Sequence, residues 1–113
     1  MKIDRKKVYE KFDGRCAYCG NAIEFKDMQV DHVVPKRLSY HFDYDNSIDN
    51  LMPSCRTCNH YKRCYLLANY RGMIKTLHKR LEKIYIFKVA IRYGIVSVKP
   101  FDGQFYFEKF IKQ

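Results

Sequence analysis

The sequence predicts a small α+β domain stapled by a metal ion, followed by a long helix and a β-hairpin. Three observations carry that reading. Two C-x2-C knuckles, Cys16-Ala17-Tyr18-Cys19 and Cys55-Arg56-Thr57-Cys58, are separated by 35 residues. Between them runs Met28-Gln29-Val30-Asp31-His32-Val33-Val34-Pro35, a valine-rich stretch that favours extended backbone and sets a carboxylate beside an imidazole. Beyond them, Ile74, Leu77, Leu81, Ile84 and Ile91 recur at three- and four-residue spacing between basic residues, the pattern of an amphipathic helix.

Taken in order, residues 5–12 read as a short helix. Asp4 is its N-cap, Val8 and Phe12 share a face, and Asp13-Gly14 ends it. Gly20-Asn21 supplies a tight turn after Cys19. Residues 22–25 and 29–33 then read as a hairpin across Lys26-Asp27-Met28. Residues 36–46 alternate charge with aromatics, which suits either a nucleic-acid contact or a solvated connector. Leu51 and Met52 are candidates for the core, and residues 59–67 have helical character. The long helix spans 69–93, with Arg71, Lys75, Lys79, Lys83, Lys88 and Arg92 between its apolar positions and Gly94 as its stop. Residues 95–99 and 104–110 read as two strands around Pro100-Phe101-Asp102-Gly103.

At 113 residues the chain is expected to be one domain, 1–113, with a knuckle-bearing core at 12–63 and an extension at 64–113. A domain of this size has a modest core and profits from a staple. Four thiolates in two knuckles suit the tetrahedral preference of a structural zinc ion. Two disulfides are the alternative, and the weaker one. They would leave Cys64 over, and the charged start Met-Lys-Ile-Asp is not an apolar secretory leader. The expected compartment is the cytoplasm.

The net charge of +10 is unevenly placed: residues 1–60 hold ten Lys and Arg against nine Asp and Glu, residues 61–113 twelve against three. A field that lopsided suits a polyanion such as nucleic acid. A membrane is the poorer partner, because no apolar run approaches a span and no helix offers a bulky, purely apolar face. A basic surface without any polyanionic partner is the open alternative from charge alone.

Asp31-His32-Val33-Val34-Pro35, Asn50-Leu51 and Cys55-Arg56-Thr57-Cys58-Asn59 with Lys62 stand in order behind Cys16 and Cys19. In that combination the chain resembles the HNH endonuclease family, in its zinc-knuckle subgroup, over about half its length. The resemblance implies a beta-beta-alpha-metal (His-Me finger) core. It makes His32 the general base, gives Asp31 and Asn59 one divalent metal, Mg2+ or a similar cation, and has Asn50 brace the loop that carries His32. It implies cleavage of DNA, double-stranded DNA most directly, in a bacterial cell or phage-infected host. The residue types agree with those roles. An imidazole can take a proton from water near neutral pH, carboxylate and amide oxygens suit a hard cation, and an Asn amide can bond two backbone groups at once. If Asn59 opens a helix, Lys62 and Arg63 follow on its face. With Lys36, Arg37, Arg71, Lys75 and Lys79 they are the expected nucleic-acid contacts. Many relatives carry a glycine pair between the His and the middle Asn; this chain has Tyr40-His41-Phe42-Asp43 there. The alternative function is a zinc-binding module that grips nucleic acid without cutting it.

Overall fold

The computed structural model describes residues 3–34 and 46–110, so Lys36, Arg37 and the glycine-free segment Tyr40-His41-Phe42-Asp43 lie outside the described residues. Two compact units are present. One comprises residues 3–34, 46–67 and 105–110, the other residues 68–104.

The first unit opens with α1 (Arg5–Glu10), capped as expected by the Asp4 carboxylate, which accepts from Lys6 N and Lys7 N. Val8 is its buried residue, and Asp13 and Gly14 turn the chain out with φ of 52° and 78°. Lys11 then ties this helix to the middle of the unit, its Nζ donating to Ile48 O and Leu51 O, each at 2.6 Å. Burial pushes the Lys11 ammonium below its ordinary pKa, and the nearby Asp49 carboxylate partly offsets that shift.

The sheet corrects the expected hairpin. Strand β1 (Gln29–His32) pairs antiparallel with β2 (Leu51–Ser54), not with residues 22–25, in the register Asp31↔Met52 and His32↔Leu51. Ala22 makes only an isolated bridge with Arg15, because residues 25–27 close into a 3-10 turn instead of extending. All four residues of β2 are buried. Pro53 is tolerated there because it lies in a two-stranded sheet, where its missing donor interrupts no second neighbour. Its carbonyl accepts from Ala17 N at 2.8 Å and so docks the first knuckle on the sheet. From β2 the chain passes through Cys55 into α2 (Arg56–Lys62), whose N-cap is the Cys55 sulfur, accepting from Cys58 N at 3.4 Å.

The expected C-terminal extension takes a different form. The long helix is replaced by α3 (Leu67–Lys75), α4 (Leu77–Glu82) and α5 (Tyr85–Arg92). At the first break the Thr76 hydroxyl donates to the carbonyls of Gly72 and Met73, competing with the helical ladder. At the second, β-branched Ile84 is extended, with φ of −84° and ψ of 122°. Gly94, with φ of 72°, stops α5 as expected. Ile74, Leu77 and Leu81 of the predicted stripe line a cavity of about 440 Å³ with Val96, Val98 and Phe101, within the second unit.

The predicted second hairpin does not form, and the reason is visible in its backbone donors. Tyr106 N and Phe107 N bond to Tyr18 O and Ala17 O in the first knuckle, at 3.1 and 2.7 Å, not to residues 95–99. Residues 106–110 coil into a 3-10 turn, with the Glu108 carboxylate accepting from Phe105 N. Phe105 and Phe107 meet the Tyr18 ring edge-on, with centroids 5.4 and 6.0 Å away. The aromatic-rich end of the chain thus completes the core around the knuckle. Gly20 is needed at that junction: its φ is 79°, and a Cβ there would lie 2.9 Å from the Tyr106 ring. No helix among the described residues is long and apolar enough to cross a membrane.

Candidate active site and metal centre

The two knuckles converge. The sulfurs of Cys16, Cys19, Cys55 and Cys58 all lie within 4.8 Å of one another. A tetrahedral ion with sulfur at about 2.3 Å sets neighbouring sulfurs about 3.8 Å apart. Cys19 Sγ and Cys55 Sγ are separated by 3.8 Å, so the donor set and its spacing fit zinc. Hydrogen bonds with Cys16 and Cys58 hold the Cys19 thiol well below its usual pKa, while contacts with Cys16 and Cys19 push Cys58 up. The cluster favours the Cys19 thiolate and resists those of Cys16 and Cys58, a conflict that a dication relieves. Asn21 Nδ2 donates to Cys19 Sγ at 3.2 Å, from the turn that Gly20-Asn21 was expected to make. Cys64 is exposed and stands apart from the cluster.

The sheet and α2 assemble the remaining candidates. Gln29 and Asp31 share one face of β1, the face turned to α2, while Val30 and His32 take the other. Asp31 is buried, and its Oδ2 accepts from the Tyr18 hydroxyl and pairs with Lys62 Nζ at 3.0 Å. Lys62 is 0% exposed and also donates to His32 O at 3.4 Å. This corrects the expectation that Lys62 faces nucleic acid. Packing on β1 turns it inward, because its partner is the one buried carboxylate among the described residues. Asn59 is half-buried one turn earlier, and its Nδ2 donates to Gln29 Oε1 at 2.6 Å.

His32 is half-buried, with Nε2 donating to Asn46 Oδ1 at 2.7 Å. That assignment leaves Nδ1 as the basic nitrogen of the neutral ring. Asn50 is buried and bonds both backbone groups of Val34, accepting from Val34 N at 2.9 Å and donating to Val34 O at 3.3 Å. Its own carbonyl accepts from Val33 N at 2.9 Å. The segment immediately after His32 is therefore pinned at three points by one residue. Asn50→Ala should destabilise the first unit by about 1 kcal/mol, since each lost bond has modest net worth and exposed Val34 can turn to water. A shift in the urea midpoint measures it, and an unshifted midpoint would show that the brace contributes nothing to stability.

The HNH endonuclease profile matches residues 16–63, from the first knuckle cysteine to the end of α2. Residues 16–63 are thus similar to the HNH endonuclease family. The CRISPR-associated endonuclease Cas9 of Corynebacterium diphtheriae is 38% identical over 48 residues, 42% of this chain and 4% of that protein. The crystal structure of the Type II-C Cas9 enzyme from Actinomyces naeslundii matches with a TM-score of 0.52 and 29% identity, over 60% of this chain and 7% of that one. The chain thus spans less than a tenth of either relative.

Within the HNH segment, sequence reasoning missed Tyr18 and Asn46. Tyr18 sits between the knuckle cysteines, where a residue reads as a spacer; its aromatic character in a C-x2-C turn is the only signal it gives. In sequence Asn46 competes with Asn50 for the bracing role and nothing marks it as a partner of His32; the structure bonds Asn46 to His32 and Asn50 to Val34. Of the other expected contacts, Arg63 is exposed at the end of α2, whereas Arg71, Lys75 and Lys79 stand in the second unit. Lys75 and Lys79 are exposed, and Arg71 is half-buried with its Nη1 donating to Gly103 O at 2.8 Å.

Proposed function

We propose that this protein is a metal-dependent HNH endonuclease that hydrolyses phosphodiester bonds of double-stranded DNA. The observation that carries the reading is the set Asp31, His32, Asn50 and Asn59, held on β1, its facing segment and α2 within the residues that match the family. His32 acts as general base through Nδ1, while the Asn46 carbonyl keeps Nε2 protonated and the ring oriented. Asp31 and Asn59 hold the divalent cation, magnesium or a similar ion. The chemistry of these donors fits such an ion. Lys62 and Tyr18 engage one Asp31 oxygen, Gln29 engages the Asn59 amide nitrogen, and a carboxylate oxygen and an amide oxygen remain for a hard cation. When bound, that cation polarises the scissile phosphate and stabilises the leaving oxygen. Asn50 fixes the path of the chain after His32 so that the imidazole keeps its place.

One zinc ion held by Cys16, Cys19, Cys55 and Cys58 is structural in this reading, since all four positions of a tetrahedral centre are filled by protein. Arg63, Arg71, Lys75 and Lys79, with Lys36 and Arg37, supply phosphate contacts that position the duplex without reading bases. Thiolate ligands require a reducing setting, and the cytoplasm of a bacterium or phage-infected cell meets that requirement.

His32→Ala tests the assignment on supercoiled plasmid. Its cleavage rate should fall by a factor on the order of a hundred to ten thousand, the usual loss when a general base is removed. Manganese binding, followed by calorimetry, should stay as in the parent, because the Asp31 and Asn59 oxygens remain. Restoration of cutting by excess metal would instead make His32 a ligand. A parent protein that binds plasmid but never nicks it would leave the non-catalytic module as the correct reading.

A further inference from the structure

We infer that the exposed face of α2 carries a phosphodiester-binding groove in which Arg56 and Arg63 grip the substrate strand on either side of Asn59. The inference rests on the nuclease reading above and places the strand on the protein. Gln29, Arg56, Asn59, His60 and Arg63 line an open groove of about 410 Å³. Four of these, at positions 56, 59, 60 and 63, follow the three-, four- and seven-residue spacing that puts side chains on one face of a helix. Gln29 reaches the same groove from β1 and holds the Asn59 amide by its hydrogen bond. Beside this face α2 turns inward, with Lys62, three residues after Asn59, buried against Asp31.

Charge and spacing identify the ligand class. The groove is lined by two guanidinium groups and an imidazole, with no carboxylate among its residues. Neither arginine pairs with a carboxylate among the described residues, whereas the cation on the inner face does. Guanidinium forks suit the paired oxygens of a phosphate. Seven residues of helix separate the two arginines by about 10 Å along the axis, far enough for them to meet different phosphates of one strand. A strand lying along the groove would thus meet Arg56 and Arg63 at phosphates flanking the one beside Asn59.

The backbone of Arg63 supplies an independent argument. Its φ is 51° and its ψ −123°, at the C-cap of α2, with its N–H bonded to Asn59 O at 2.9 Å. A non-glycine residue rarely occupies that conformation, and glycine would adopt it without strain. Keeping an arginine there is a cost to the fold that a role for its side chain accounts for.

The test is binding of a short fluorescent DNA duplex, without added divalent cation, across a range of salt concentrations. The Arg56→Gln/Arg63→Gln double variant should bind about tenfold or more weakly at low salt, and its salt slope should flatten by about two, one for each lost phosphate contact. A charge-matched control, Lys6→Gln/Lys7→Gln on exposed α1, should keep the parent slope. Arg63→Gly should retain zinc and melt at or above the parent temperature while losing affinity, which separates the side chain's role from folding. If the double variant binds like the parent, or the control loses as much, the groove is overturned while plasmid cleavage by the parent still upholds the nuclease. If the parent neither binds nor cuts DNA, both readings fall.

Discussion

Cys55→Ser should leave the first unit without its metal and largely unfolded. Cys55 has two duties: its sulfur belongs to the four-sulfur cluster, and it caps α2 by accepting from Cys58 N. The cap is the smaller loss, because serine is itself a favoured N-cap whose hydroxyl can accept from Cys58 N. The metal is the larger one, because a site that exists only in the folded chain turns its binding energy into folding energy, about 10–16 kcal/mol for structural zinc in finger peptides. What the ion joins explains why the loss spreads. One knuckle docks on β2 through Ala17 N and Pro53 O, and the other begins α2, so the clip closes the sheet on the helix that carries Asn59. Elemental analysis of the parent should find about one zinc per chain. The variant should show none, with a broadened or absent thermal transition by circular dichroism. A zinc-free variant that still melts cooperatively near the parent temperature would refute the structural role of the cluster.

Asp31→Ala should destabilise the protein by about 3–5 kcal/mol even before any cation is considered. Lys62 is 0% exposed, and Asp31 is its ion-pair partner at 3.0 Å; removing the carboxylate strands a buried ammonium. For a unit of this size that is roughly 12 °C or more in melting temperature. Asp31→Ala/Lys62→Met removes both charges and fills much of the lysine's volume with apolar chain. It should recover most of the stability, since replacing a buried pair by apolar groups is often neutral. On the nuclease reading it should remain unable to cut, because the anionic ligand is still missing. A double-mutant cycle followed by melting temperature measures the coupling. Asp31→Ala melting within a degree or two of the parent would mean that the buried pair is not formed in solution. The same comparison protects the catalytic assignment, since lost activity in Asp31→Ala alone would mix unfolding with lost metal binding.

Much of the site could be read from residue order because its chemistry is carried by rare residues at short, fixed spacings. C-x2-C needs only a tight turn to aim two sulfurs at one point, and the second knuckle runs without interruption into Asn59. Asp31-His32 alternates on an extended run, so the two side chains part to opposite faces without reference to the rest of the fold. Asp4 and Gly94 mark helix ends through local bonds and a local φ, and the structure has them in those places.

Pairing and burial belong to another scale. The choice of β2 over residues 22–25 as the partner of β1 depends on where the knuckles bring the chain back, which no local pattern encodes. The predicted long helix failed because Thr76 and Ile84 resolve a local competition that apolar periodicity does not register. Residues 105–110 alternate like a strand, yet their donors go to Ala17 and Tyr18, since those carbonyls and the open edge of the Tyr18 ring lie within reach only in the folded unit. Lys62 is the sharpest case. In sequence it is one more cation on a basic chain, and only the approach of α2 to β1 makes it the buried counter-ion of Asp31. The sequence by itself therefore determined the clustering of the four cysteines and the helix ends at Asp4 and Gly94, because each depends on neighbours a few residues away. The tertiary structure alone decided which strand pairs, which cation is buried and what closes the core, because each depends on groups that meet only when distant segments fold together.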